Sequence, residues 1–244
     1  MKTKKIITTV TLASMFGMSI PMVTLAAEGN ENYPTPTTAV TTNVINFSED
    51  TDPGKPVDPI DPQKPIMPVD PINPGTGNFI LTYAPNLDFG TQKPTESSWN
   101  AKAIKVQDEE GVKSAAPFAS IKDTRGSDRK GWALQASLDG GFTNAEGNEL
   151  EGAAITFSKF VVATGVNGAP QIPDSAVTLS TTPSDLATAD SESGSGNWSV
   201  GFGTLDEATD TTNGIQLTVP QTSQKDSGSY SATINWELLS EPTI

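Results

Sequence analysis

Two tripeptides of one kind, Trp132-Ala133-Leu134 and Trp236-Glu237-Leu238, set an indole and an isobutyl side chain two residues apart. Residues at that spacing on a strand share a face, so each pair has two uses. It suits the inside of a sandwich, and an indole on an open face also covers the apolar C–H side of a sugar ring. The only two arginines, Arg125 and Arg129, lie within five positions of each other, with Lys122 and Lys130 alongside. A guanidinium fork grips carboxylates or phosphates; the competing role is an internal ion pair with Asp123, Asp128 or a distant carboxylate. Trp198 follows a Gly/Ser-rich stretch and reads as an exposed contact for a sugar or a partner, whereas Trp99 beside Asn100 carries no signal.

The rest of the inventory closes off most reaction chemistry. With no His and no Cys, the chain has no Ser-His-Asp or Cys-His nucleophile, no zinc cage, no haem or iron–sulfur ligation and no disulfide. Two carboxylates suffice for glycoside hydrolysis, but no pair of acids stands out. The Ser158-Lys159 and Ser120-x-Lys122 adjacencies are what a Ser-rich chain gives by chance. Asp185, Asp190 and Glu192 share a stretch without the ordered ligand spacing of a calcium loop. No catalytic residue, cofactor or metal is expected. A formal charge of −14 and a pI near 4.3 offer no basic surface to displace counterions from phosphate, which argues against nucleic acid as a partner.

Four segments position these residues. Lys2, Lys4 and Lys5 precede an uncharged run from Ile6 to the small pair Ala26-Ala27, so residues 1–27 read as a secretory signal peptide rather than an anchor, and no later stretch is apolar enough to span a membrane. Residues 28–52 are polar and read as disordered, with a short strand at Val44 to Phe47. Proline then falls at every third position from Pro53 to Pro74, so residues 53–77 read as a polyproline II spacer, which has three residues per turn and would reach on the order of 65 Å.

Residues 78–244 hold all four Trp and are expected to form one all-β domain, an antiparallel sandwich or barrel. Period-2 alternation marks strands at Phe79–Tyr83, Ala103–Val106, Gly131–Leu138, Ala154–Val162, Ala176–Ser180, Ile215–Val219 and Ser229–Leu238. Acidic, Ser/Gly-rich Pro183–Asn197 reads as an exposed loop.

The order and flanks of the motifs resemble one family. Leu87-Asp88-Phe89-Gly90, Asp123-Thr124-Arg125-Gly126 leading into Gly131-Trp132-Ala133-Leu134, and Leu217-Thr218-Val219-Pro220 before Gly228 to Leu238 are similar to the WxL-domain surface proteins of low-GC Gram-positive bacteria. The resemblance implies a secreted protein whose C-terminal domain attaches non-covalently to peptidoglycan, the absence of a sortase-type tail agreeing with that, and displays the protein on the cell wall. It also implies a place in a surface complex with a membrane-anchored partner protein, or adhesion to host matrix protein. The candidate wall-binding residues are Trp132, Leu134, Trp236, Leu238, Arg125, Arg129 and Trp198. A core role for both Trp-x-Leu pairs stays open, as do a protein-binding adhesin and a wall glycan hydrolase.

Overall fold

The computed structural model describes residues 35 and 37–241; the expected signal peptide lies outside them. The chain divides into two units, Met1–Phe47 and Ser48–Ile244. In the first, the expected strand at Val44 to Phe47 is not formed, and the side chains of Val40, Val44, Ile45 and Phe47 are 61–88% exposed.

The second unit is all-β and sandwich-like. Its strands are β1 (Met67–Pro68), β2 (Phe79–Tyr83), β3 (Ser98–Lys102), β4 (Ile104–Asp108), β5 (Gly111–Ala115), β6 (Phe118–Asp123), β7 (Trp132–Thr143), β8 (Ala154–Phe157), β9 (Phe160–Val161), β10 (Val177–Thr178), β11 (Ser184–Ala189), β12 (Gly196–Phe202), β13 (Leu205–Asp206), β14 (Thr211–Thr218) and β15 (Ser231–Ser240). They pair in four antiparallel sheets, ordered β1-β4-β5, β10-β8-β14-β13 with β3 also on β14, β11-β7-β15, and β2-β6-β12-β9. The described residues contain no helix.

Alternation explains β15, where Ala232, Ile234, Trp236 and Leu238 turn towards the main core while Thr233, Asn235 and Glu237 face solvent. It does not explain β6, every residue of which is buried. A strand covered on both faces has no polar side to show, and β6 still carries Ser120, Lys122 and Asp123. Each has a partner: Ser120 donates to the Trp198 carbonyl, Lys122 donates to Asp50 Oδ1 at 2.9 Å and to the Asp52 carbonyl at 2.6 Å, and Asp123 pairs with Arg125.

Two sequence expectations are corrected. Pro183–Asn197 is not an exposed loop: Ser184–Ala189 is a strand on β7, and Leu186, Ala187 and Ala189 are in the core. A register shift between Asp185 and Ala187 breaks the period-2 pattern and hides the strand from its sequence. Nor are residues 53–77 an extended spacer. Pro53 bridges Thr76 and Val57 bridges Pro65, so the segment runs out and returns. The reversal is made by carboxylates, with Asp58 Oδ1 accepting from the Ile60 and Asp61 amides and Asp61 Oδ1 from Gln63, turns that short polar side chains favour. The physical reason for folding back is the apolar edge of the period-3 repeat: Val57 and Ile66 are buried, and Ile66 joins Tyr83, Ile104, Val106 and Phe118 in a second core. The compact unit therefore starts at Ser48, well before Asn78.

Candidate functional site

The first Trp-x-Leu pair is sealed. Trp132 and Leu134 are both 0% exposed, and the indole Nε1 donates to the Gly194 carbonyl at 3.1 Å. A Cβ on Gly194 would lie 2.4 Å from that nitrogen, so the glycine is what lets the β11–β12 connection close over the ring. Trp132 and Leu134 both belong to the main core.

The expected basic patch resolves into private pairs. Arg125 turns inward, its Nε and Nη2 both 2.9 Å from the Asp123 carboxylate and its Cζ 3.8 Å from the centroid of the Phe79 ring. Arg129 donates twice to the Ser191 carbonyl, Lys130 pairs with Glu241, and Lys122 is buried against Asp50. Trp198, expected at the surface, is 5% exposed, because β12 lies between β6 and β9 and its Nε1 donates to Ser195 O at 2.8 Å.

The second pair lies on an edge strand, β15, which is hydrogen-bonded only to β7. Leu238 is half-buried against the main core, and so is Trp236. The Trp236 ring meets Phe157 edge-on with centroids 5.8 Å apart and Phe202 at 5.9 Å. Unlike Trp132, it also borders open space.

That space is a groove of about 980 Å³ between the Ala84–Pro94 loop and the stretch Lys225–Trp236. Its floor is the edge of the main core, Ile155, Leu217 and Val219, and its walls carry Phe89, Trp99, Tyr230 and Trp236. Three of the sequence motifs build it. Leu87-Asp88-Phe89-Gly90 is a turn in which Asp88 Oδ1 accepts from the Gly90 amide at 2.7 Å. It is fixed to β3 by the Asp88–Lys102 ion pair at 2.8 Å and by the Lys102 amide donating to Asp88 O. Gly90 has φ +73°, and a Cβ there would meet Lys102, which accounts for the glycine. Lys102 and the Gly90 amide together hold the Asp88 carboxyl below the usual carboxylate range, so it is charged at neutral pH. Leu217 and Val219 supply floor, and Gly228 to Trp236 the opposite wall. There, Tyr230 Oη accepts from the Asp226 amide at 3.2 Å and Lys225 Nζ donates to Pro220 O.

Of the candidate residues only Trp236 lines the groove. Phe89, Trp99 and Tyr230 were missed, although two of them sit inside the quoted motifs; position in a motif was the available signal, and Trp99 gave none. Among the described residues no group of His, Cys, Asp and Glu is placed to hold a metal ion.

The fold is sandwich-like, and three of the sequence motifs meet at one groove with aromatic residues in its lining. The family model of the WxL domain, surface cell wall-binding, matches residues 34–242, and the chain belongs to that family. It is therefore a surface protein with a cell-wall-binding domain. The match takes in the Pro-rich segment, in keeping with its packing on the sheets. Comparison with curated proteins and with solved structures gives no match.

Proposed function

We propose that this is a secreted protein held non-covalently on peptidoglycan by its WxL domain, and that the groove between the Ala84–Pro94 loop and β15 is the surface that grips the wall. The observation that supports this reading is convergence: stretches separated by more than a hundred residues in sequence bring Phe89, Trp99, Tyr230 and Trp236 to one groove. Family-like residues that line no groove, Trp132 and Arg125, have complete internal reasons to be there. Co-sedimentation of the 28–244 chain with teichoic-acid-free peptidoglycan tests it. Tyr230→Ala and Phe89→Ala variants that keep the native melting transition should lose binding, while Arg129→Ala should keep it. Full retention of binding in folded groove variants would remove the groove from the mechanism.

A second reading, an adhesin or partner-docking role, is favoured by one feature of the N-terminal unit. Val40, Val44, Ile45 and Phe47 project from an uncharged, strand-prone run, the kind of segment that adds to a sheet edge of another protein. Binding to a membrane-anchored surface partner or a host matrix protein that vanishes on Val44→Ser/Phe47→Ser substitution would support it.

A further inference from the structure

The groove has a definite charge character. Its charged lining is Asp88 and Asp226 against Lys93 and Lys225, an even balance in a chain of net −14. Asp88 is already paired with Lys102 and Lys225 is turned onto the Pro220 carbonyl. Lys93 is the one lining cation without a partner among the described residues. A phosphate polymer or a run of stem-peptide carboxylates would meet only two ammoniums, Lys93 and Lys225, with Asp226 beside them, in a domain whose overall field repels anions.

The shape and the uncharged groups match a different ligand. About 980 Å³ stands at the upper end of the about 300–1,000 Å³ usual for ligand pockets, room for several linked sugars. Half-buried Phe89, Trp99, Tyr230 and Trp236 line it, aromatic rings of the kind that cover C–H surfaces, and buried Ile155, Leu217 and Val219 add to its apolar lining. The rim is hydroxyl and amide, with Asn86, Thr91, Gln92, Ser229, Ser231 and Thr233. Because β15 pairs on one side only, its second side leaves backbone N–H and C=O groups without sheet partners, the donor and acceptor set that an amide substituent uses.

We propose that the groove takes an uncharged N-acetylhexosamine oligomer, the glycan strand of the wall, and not its phosphate polymers or its peptide stems. This rests on the groove being the wall-binding surface. The acetamido methyl reaches the apolar floor, its N–H and C=O meet the β15 edge and the rim amides, and ring C–H faces lie on the aromatic walls.

The test is a tryptophan-fluorescence and calorimetric titration of the 28–244 chain at physiological salt. The probes are a β-1,4-linked N-acetylglucosamine pentamer, its de-N-acetylated counterpart, polyglycerol-phosphate teichoic acid and a wall stem peptide, with co-sedimentation on sacculi run from the same preparation. The acetylated pentamer should bind saturably and perturb the indole emission. The de-acetylated pentamer should bind at least about tenfold more weakly, corresponding to loss of one well-buried group, even though an acidic protein attracts a cationic sugar. Tyr230→Ala should weaken the pentamer about tenfold. Thr233→Lys, at an exposed position on β15, should do likewise in molecules that keep the native melting transition. Sacculus binding without pentamer binding, or equal binding of teichoic acid or stem peptide, overturns the ligand class while leaving wall attachment in place. Sacculus binding untouched by Tyr230→Ala and Thr233→Lys overturns the groove itself, and no sacculus binding overturns both.

Discussion

Arg125 and Gly131 are joined through space: the guanidinium Nη2 donates to the Gly131 carbonyl at 2.9 Å while the same side chain holds the buried Asp123 carboxylate. Gly131 has φ +95°, and a Cβ on it would stand 2.2 Å from Ala189 O. The Asp-x-Arg-Gly and Gly-Trp-x-Leu motifs are thus one structural unit that aims the start of β7, and with it Trp132, into the core. Arg125→Ala leaves Asp123 buried without its counter-ion, and the expected loss is about 3–5 kcal/mol. The double substitution Asp123→Leu/Arg125→Met should recover part of it. Urea unfolding of the two variants checks the expectation, and a small effect of Arg125→Ala would mean the pair is solvated in solution.

Trp132 separates structural from binding roles. Trp132→Ala should cost about 3–5 kcal/mol as a cavity opens in the core. Gly194→Ala, which pushes a methyl group against the same indole at φ +69°, should cost about 1–3 kcal/mol by overpacking. Molecules that remain folded should sediment with peptidoglycan as the parent does. Thermal melts beside binding isotherms measure the two effects separately, and a folded Trp132 variant with lost binding would return the first motif to the site.

Much of this was legible in the sequence, for identifiable reasons. β15 alternates without interruption and faces one core, so its strand and its buried side could both be read from Tyr230 to Leu238. Phe79–Tyr83 was read with its observed bounds. β6 escaped because Ser120, Lys122 and Asp123 are polar yet buried, each matched by a partner distant in sequence or, for Asp123, two residues on. The period-3 prolines were visible, but the reversal depended on Asp58 and Asp61 accepting from their own turns, and on an apolar edge finding a core that only the folded sheets provide. The motifs and Trp236 were visible, but not that they meet in one groove, since it exists only where residues 84–94 and 225–236 come together.

The Pro-rich segment and its lead-in should be needed for full stability. A chain starting at Asn78 lacks Asp50 and Asp52, the partners of Lys122, which is 2% exposed, and it uncovers the second core by removing Ile66. An unpaired buried cation alone costs about 3–5 kcal/mol. The 78–244 fragment should melt well below 48–244, and Asp50→Asn in the longer chain should reproduce part of the difference. Equal melting temperatures would show that the segment is an accessory to the fold.

Acid should loosen this attachment through Asp108. The Lys113 side chain, the Glu110 amide and Lys64 draw its pKa down from 3.8 to about 2, and Lys64 belongs to the folded-back segment. The folded pKa is lowered, so the contribution is complete above the unfolded value near 4. It is lost as pH falls through the folded value near 2. Between those limits the slope of stability against pH should be positive, and Asp108→Asn should flatten it. Chemical denaturation at stepped pH gives the slope directly, and an unchanged slope in the variant would assign the acid sensitivity to other carboxylates.

Charge should also set how the protein responds to the wall's own polymers. A chain of net −14 approaching a wall that carries phosphate polymers is repelled over about 30 Å at 0.01 M salt but only about 8 Å at 0.15 M. Binding to intact walls should therefore strengthen as salt is raised, and again on acidification towards the pI near 4.3, as long as the fold persists. Binding to teichoic-acid-free peptidoglycan should stay nearly flat with salt, since the groove lining is balanced in charge. Parallel isotherms on the two substrates across salt measure both slopes. Weaker binding at higher salt on either substrate would mean that cations such as Lys93 hold the wall by attraction, and that the aromatic groove is secondary.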